Sequence, residues 1–249
     1  MERIVSAEQI VERGKPASYG QEITKRRARI VEGCISLDGK MVLDFGCGNG
    51  AQTVELAKHA RGVRACDIDA ADIDVLRNYA RENGIANVIP ILYDGKSLPV
   101  EDEAVDAVVC FAVLEHVTDE RTALRDIVRV LKRGGDFVIS VPNKWWIFET
   151  HGARLPLLPW NRVPFFSWLP PAIHRRFAKA RIYRKSDIVH LLTSSGFIIR
   201  GTSYMTAPMD TVPWPGPQRF LRNTVFRGDT GKFPLLSTEI FVHCQKPSG

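Results

Sequence analysis

The sequence predicts an α/β fold with a doubly wound, mostly parallel β-sheet that carries helices on both faces. Between residues 41 and 141, short apolar runs rich in β-forming residues alternate with segments of helical periodicity, which is typical of consecutive strand–helix–strand units. The alternation stops after 141 and resumes near 184. With 249 residues, 45% of them hydrophobic, the chain can bury one large core.

The predicted strands are short and apolar throughout, as expected for parallel strands that are covered on both faces. The first five are MVLDF (41–45), VRACDI (63–68), NVIPILY (87–93), AVDAVVCF (104–111) and DFVISV (136–141). Two more are expected at 197–204 and 237–246. The sheet should therefore have seven strands.

Helices are expected between these strands, each with one apolar face toward the sheet. They cover 71–84, 119–135 and 186–197. Each should end at a glycine, namely Gly84, Gly134 or Gly196, because glycine adopts the left-handed conformation that closes a helix. Ser186 is the predicted N-cap of the third helix.

We expect a single domain over 1–249, because no linker or internal repeat divides the chain. Its parts are an N-terminal helical cap (1–40), a core (41–143), an insertion after strand five (144–183), and a last helix with the final strands (184–249). A proline-rich stretch at 208–217 predicts a loop.

Composition argues against export and against a zinc site. The opening residues, MERIVSAEQIVERG, lack the apolar stretch of a signal peptide, and no run of 18 apolar residues occurs. The five cysteines are odd in number and lack CxxC spacing, which favours reduced thiols. We therefore expect a cytoplasmic protein.

The net charge of +6 is concentrated in one region. Residues 144–200 hold 10 Lys and Arg against 2 Asp and Glu, and nine of the 22 aromatic residues lie between 145 and 183. From 172 to 186 there are six Lys or Arg and no acid. Such a region fits an anionic substrate, a membrane surface or nucleic acid, or is simply solvated.

The most informative motif is VLDFGCGNGAQTVELA (42–57), in which three alternate glycines from Gly46 separate a strand from a helix. Glycines at such a turn allow close approach of the backbone to a ligand. Their spacing differs from the GxGxxG dinucleotide pattern. Asp44 would repel a diphosphate, and Asp67, at the end of the next strand, can accept both ribose hydroxyls. These features predict a nucleoside ligand that carries positive charge.

Three further motifs follow in order: CDID, YDGKSLPVEDEAVDAVVCFAVLEHV and LKRGGDFVISVPN. On these four motifs, which span roughly residues 40–143, the chain resembles the class I S-adenosylmethionine-dependent methyltransferases. Within them it is most similar to the ubiquinone and menaquinone biosynthesis branch. The resemblance implies a Rossmann-like fold with an antiparallel last strand, and S-adenosyl-L-methionine as the cofactor, released as S-adenosyl-L-homocysteine.

The resemblance also implies which residues bind the cofactor. The methionine moiety is assigned to Asp44, Phe45, Gly46, Cys47 and Gly48; the ribose and one side of the adenine to Asp67 and Ile68; the adenine amino group to Asp94 with Gly95; and the amino acid end to the main-chain carbonyl of Phe111.

Methyl transfer is an in-line displacement, so positioning supplies most of the catalysis, and a general base helps when the acceptor is a hydroxyl. Two catalytic candidates are His116, which follows Glu115 after strand four, and His151, in the irregular region after strand five. Some relatives hold a divalent metal near this point with an additional acid. Ala112 stands there in this chain, and we therefore expect no metal.

In this family the acceptor pocket lies between the N-terminal helices and the insertion after strand five. The resemblance thus implies that Tyr19, with Arg26 or Arg29, closes the cofactor from above. Trp145 and Trp146 are the candidate lining residues beside His151.

The resulting prediction is a methyltransferase that O-methylates a small-molecule or lipid- or prenyl-linked acceptor. Residues 160–185 are expected to contact a membrane surface peripherally, at its inner face, or an anionic acceptor, while nucleic acid ranks lowest because no RNA-binding module is appended. Two alternatives stay open at this point: an N- or C-methyltransferase, and a catalytically inactive protein that binds S-adenosylmethionine and interacts with a partner.

Overall fold

The fold is an α/β arrangement around one eight-stranded sheet, seen in a computed structural model that describes residues 16–148 and 164–249. The strand order is β3-β2-β1-β4-β5-β8-β6-β7. The strands are β1 (Met41–Phe45), β2 (Gly62–Asp67), β3 (Val88–Leu92), β4 (Val105–Phe111), β5 (Leu131–Pro142), β6 (Ile198–Thr206), β7 (Thr230–Gly231) and β8 (Ser237–Gln245).

Strands β1 to β5 are parallel, and β8 runs antiparallel between β5 and β6. The mostly parallel sheet with an antiparallel last strand is therefore confirmed. The sheet has one strand more than predicted, because the two-residue β7 pairs with the end of β6. Two residues carry no alternation that a sequence pattern could reveal.

Helices cover both faces of the sheet, as the doubly wound prediction requires. They are α1 (Glu22–Cys34), α2 (Ala51–Ala57), α3 (Ala70–Glu82), α4 (Glu120–Val130), α5 (Pro171–Phe177), α6 (Lys185–Ser194) and α7 (Pro215–Asn223). One buried cluster contains Leu124 of α4 and Ile188 of α6, and the cluster on the other face contains Val31 of α1, Leu56 of α2 and Leu76 of α3.

Three helix boundaries differ from the sequence prediction. Helix α4 ends at Val130 rather than at Gly134, because Leu131 already pairs with β4 and begins β5. Arg184 takes the N-cap position predicted for Ser186, which lies inside the first turn of α6. The predicted loop at 208–217 runs into α7. The predicted ends of the other two helices are confirmed, since Gly84 and Gly196 follow them with φ of 65° and 93°.

Buried polar contacts attach α1 to the carboxyl side of the sheet. The Arg27 guanidinium forms an ion pair with Glu239 on β8, with Nε 3.1 Å from Oε2. Arg26 donates to the side chain of Thr206 at the end of β6 and to the carbonyl of Phe226. Both arginines are buried, so α1 is held in one position over β6 and β8.

Replacing Glu239 by alanine should lower the free energy of unfolding by about 3–5 kcal/mol, because it leaves the buried Arg27 guanidinium without its carboxylate. Denaturant unfolding followed by circular dichroism measures the change. Asp102→Ala is the matched control, since it removes an ion pair with Arg129 in which the Asp102 side chain is 74% exposed. That loss should be at most about 1 kcal/mol. Equal losses in the two variants would contradict the anchoring role.

Candidate active site

The glycine loop between β1 and α2 is fixed against β2 and against the segment that follows β4. The N–H groups of Gly46 and Cys47 donate to the carbonyl of Cys66 on β2, at 2.8 and 3.0 Å. Gly46 has φ 76°, and a Cβ at this position would stand 2.3 Å from a methyl carbon of Val113. Only glycine satisfies both conditions. The loop therefore presents its backbone, rather than side chains, at the carboxyl edge of the sheet.

Asp44 is a fully buried carboxylate at the end of the central strand β1. Burial raises the pKa of this carboxyl to about 7, and the charge of Asp67 adds to the rise. The Thr53 hydroxyl, which donates to Asp44 Oδ2 at 2.7 Å, and Arg27 oppose it. A positively charged neighbour would lower the pKa of Asp44 and stabilise its ionised form.

Asp67 lies at the end of β2, next to the glycine loop. Its Oδ2 accepts the N–H of Gly48 at 2.7 Å, and its Oδ1 accepts the N–H of Asp69 at 3.0 Å. The side chain is buried, while the next residue, Ile68, is 58% exposed. These bonds hold the carboxylate in one orientation at the sheet edge.

The remaining predicted cofactor residues lie along the same edge. Asp94 follows β3 in an exposed turn whose backbone N–H groups lower the pKa of its carboxyl. Gly95 comes close to Ile68, with 3.9 Å between its Cβ position and the Ile68 side chain. Phe45 and Phe111 are buried at the ends of β1 and β4. All ten residues are therefore brought together by the ends of four adjacent strands and the loops that follow them.

Residues 16–19 cover the glycine loop from the outside. The Tyr19 ring stacks on Tyr79 with a centroid distance of 4.0 Å, and its hydroxyl donates to the carbonyl of Asn49. Asn49 in turn donates to the carbonyl of Ala17 at 3.1 Å. A Cβ on Gly48 would be 3.0 Å from the ring of Pro16. Tyr19 thus lies over the glycine loop, and closure of the cofactor by this side chain stays a prediction.

Arg26 and Arg29, which were expected to reach the cofactor, contact other groups of the protein. Arg26 points into the β6 contacts described above, and Arg29 pairs with Asp229 and Glu22 on the outside of α1. Sequence reasoning missed Arg27, whose guanidinium lies 5.5 Å from the ring centroid of Phe111. Three arginines within four positions of one helix look alike in sequence, and only the docking of α1 separates them.

Glu115 and His116 follow β4 in a single turn of 3-10 helix at the same edge. Glu115 is buried, and burial raises the pKa of its carboxyl to about 8; Glu239 adds to the rise, while Arg27 and Arg181 oppose it. His116 is half-buried, and its backbone N–H donates to the carbonyl of Val113 at 2.8 Å. Within the described parts of the chain, no group of three or more His, Cys, Asp or Glu is arranged to hold a metal ion.

The start of the insertion after β5 leaves the sheet beside this edge. Trp145 is 39% exposed, with the Arg184 guanidinium over its ring at 5.8 Å. Trp146 is instead buried in a small cluster with Ala207 and Phe226. Of the two candidate lining residues, only Trp145 therefore presents its ring to solvent. The other catalytic candidate, His151, lies outside the described residues.

Comparison with known proteins identifies the family. Residues 43–139 match the family described as a methyltransferase domain. Over 167 residues the chain is 30% identical to a ubiquinone biosynthesis O-methyltransferase of Coxiella burnetii. The aligned region covers 65% of this chain and 71% of the relative. This chain belongs to the S-adenosylmethionine-dependent methyltransferases. Its cofactor is S-adenosylmethionine.

Two further relatives agree with this assignment to the methyltransferases. A ubiquinone biosynthesis O-methyltransferase of Pseudomonas aeruginosa is 29% identical over 181 residues, with 68% of this chain and 75% of the relative covered. A crystal structure of a SAM-dependent methyltransferase from Aquifex aeolicus aligns with a TM-score of 0.60 at 15% identity, covering 90% of each chain. The latter shows the same fold. The predicted family, enzyme class and cofactor are confirmed.

The buried Asp44 should make this methyltransferase less stable as the pH rises. Its folded pKa of about 7 lies above the usual value of about 3.9, so between these pH values the folded state holds a proton that the unfolded state has lost. The stability that this proton contributes is fully present below the unfolded pKa and is lost as the pH rises through the folded pKa. Asp44→Asn should therefore raise the free energy of unfolding at pH 8 by about 2–4 kcal/mol, and have little effect near pH 4.

Thermal and denaturant unfolding across pH 4–8 measures this difference. Asp119→Asn is the control with the opposite sign. Asp119 is exposed at the N-cap of α4, and the Thr122 hydroxyl and backbone lower the pKa of its carboxyl. Its stabilising effect is present at pH 8 and is lost on acidification. If Asp44→Asn instead lowers the free energy of unfolding at pH 8, the prediction is wrong, because the charged carboxylate would then stabilise the folded protein.

Proposed function

We propose that this methyltransferase transfers the methyl group of S-adenosylmethionine to a hydroxyl of a small or lipid-linked acceptor of the quinone-precursor type, and that residues 1–249 form one domain for this reaction. The names of the relatives at about 30% identity support the choice of oxygen as the acceptor atom. The observation that carries the cofactor side is the pair of buried carboxylates, Asp44 and Asp67, on adjacent strand ends beside the glycine loop.

The charges at this site fit S-adenosylmethionine. Its sulfonium and ammonium groups carry positive charge, and it has no phosphates. A positive charge beside Asp44 would stabilise the ionised form of this buried carboxyl. Asp67 has oriented oxygens that suit two ribose hydroxyls. The exposed side chain of Ile68 beside Gly95 offers an apolar surface for the adenine. The proposed cofactor residues are Asp44, Phe45, Gly46, Cys47, Gly48, Asp67, Ile68, Asp94, Gly95 and Phe111.

The chemistry requires little more than orientation by the protein. When bound, S-adenosylmethionine supplies an already activated methyl group. The glycine loop and the strand ends would hold the cofactor, and the remaining task of the protein is to bring the acceptor oxygen in line with the bond that breaks. A base that removes the hydroxyl proton adds to the rate, and we propose His116 or His151 for this task. Burial of Glu115 beside His116 favours a neutral carboxyl there.

The protein should transfer labelled methyl groups from S-adenosylmethionine to phenolic quinone precursors, with and without a prenyl tail, and the label should be released by cleavage of aryl methyl ethers. Mass spectrometry of the product before and after cleavage measures this. Label that survives ether cleavage would indicate N- or C-methylation. Tight binding of S-adenosylhomocysteine with no labelled product from any acceptor would indicate an inactive binding protein.

The matched pair Asp67→Asn and Asp74→Asn tests the cofactor side of the same reaction. Asp67→Asn should weaken binding of S-adenosylhomocysteine by roughly tenfold or more in calorimetry, because hydrogen bonds to a charged group are lost. Asp74 is an exposed acid on α3 that pairs with Arg77, and its replacement should leave affinity unchanged. Unchanged affinity in Asp67→Asn would remove the ribose assignment.

His151→Ala should lower turnover by about 100-fold or more, because general-base catalysis contributes about 10²–10⁴-fold to such reactions. The affinity for S-adenosylhomocysteine should not change. His116→Ala, measured in parallel, separates the two candidates. Full turnover in the His151 variant with a loss in the His116 variant would assign the base to His116, and full turnover in both would show that positioning alone suffices.

A further inference from the structure

The connection between β6 and β8 exposes the most accessible large apolar side chains of the described residues. These are Phe233 at 71%, Trp214 at 67% and Phe220 at 65%, and Val225 and Leu235 in the same connection are also exposed. Helix α7, which lies within it, buries none of its side chains. Single exposed apolar residues are common on proteins, but the three most exposed ones in a single connection indicate an interaction surface.

The inner side of this connection is firmly packed. Leu221, Phe226 and Leu236 contact the cluster that contains Trp146. Asp210, just before α7, accepts the N–H groups of Glu22 and Ile23 at the start of α1, at 3.1 and 2.9 Å. The outward aromatic side chains are thus displayed by a fixed scaffold.

The outer side of the connection is basic. No acid occurs between residues 211 and 228. Arg219, Arg227 and Lys232 are exposed and make no ion pair with any residue that the structure describes, whereas Arg222 pairs with Asp210 at 2.8 Å. These three cations, which pair with no acid among residues 16–148 and 164–249, can therefore meet an external partner with negative charge.

We propose that this surface, named here the α7 surface and formed by Trp214, Arg219, Phe220, Arg227, Lys232 and Phe233, binds the interfacial region of an anionic phospholipid bilayer. Trp and Phe enter the boundary between headgroups and acyl chains, while Arg and Lys reach the lipid phosphates. A second copy of this chain fits less well, because a symmetric contact would place the same three cations against one another.

The α7 surface lies near the edge of the sheet that carries the proposed cofactor residues. Strand β6 runs in the same direction as β5, so its end at Thr206 lies at the carboxyl edge of the sheet, where the proposed cofactor residues lie. A bilayer on the α7 surface would adjoin the active site. The functional role of this contact, delivery of a lipid-linked acceptor to the active site, rests on the proposed function, whereas bilayer binding itself does not. The contact lies outside segment 160–185, which the sequence indicates for membrane contact.

Sedimentation with sucrose-loaded vesicles tests the proposal, with phosphatidylglycerol–phosphatidylcholine mixtures compared with pure phosphatidylcholine. The protein should pellet with the anionic vesicles, and added salt should weaken this binding. The triple variant Trp214→Ser, Phe220→Ser and Phe233→Ser should bind at least tenfold more weakly, since burial of three large apolar groups is lost. Because all three side chains are exposed, its melting temperature should match that of the parent protein.

Two matched variants serve as controls. Val75→Ser, Ile89→Ser and Ile198→Ser remove exposed apolar side chains elsewhere on the molecule and should leave vesicle binding intact. Neutralising Arg219, Arg227 and Lys232 to glutamine should weaken binding about fivefold per charge, whereas the same change at Lys25, Arg61 and Arg121 should have a smaller effect.

The proposal fails if the parent protein does not pellet with anionic vesicles, or if the control variants lose as much binding as the α7 variants. It also fails if light scattering shows a dimer that the serine variant dissociates, without vesicle binding, because the surface would then join two copies. Methylation of a water-soluble phenol without vesicles is measured in parallel. If the parent protein does not methylate this phenol, the result counts against the proposed O-methylation and not against bilayer binding. If the serine variant still methylates it, the α7 side chains act in membrane binding and not in catalysis.

Discussion

Parallel pairing of β1 with β2 on one side and β4 on the other is the constraint on which the rest of the site depends. It forces the carboxyl ends of neighbouring strands to meet at one edge, so that acids far apart in sequence become neighbours. Asp44 and Asp67 are 23 positions apart, yet the charge of one affects the pKa of the other. The glycine loop then presents its backbone beside them.

A second consequence of this edge is a group of buried charges around α1. Arg27 forms an ion pair with Glu239 and also acts on the pKa of Asp44 and of Glu115. One guanidinium thus influences carboxyls on three different elements. Such a group stabilises the fold less than apolar packing would, and its value lies in fixing the charge and position of groups at the site.

The sequence was sufficient where the signal was local. The glycine loop, the acids at strand ends and the succession of strands and helices along the chain follow from short motifs and local periodicity. The role of Arg27, as distinct from Arg26 and Arg29, depends on how α1 lies against β8, which no local pattern encodes. Strand β7 and helix α7 were missed for a related reason, because β7 is too short for periodicity and α7 contains prolines typical of loops.

The antiparallel β8 has a consequence for how the molecule is made. It lies between β5 and β6, and it pairs with β5 along Asp136–Pro142 and with β6 along Ile198–Thr206. During synthesis, β5 is complete at Pro142 and can pair with β4 along one edge, but the partner of its other edge is not made until residues 237–245. Until then the edge of β5 that faces β8 stays unpaired in the nascent chain, and such edges favour association with other chains.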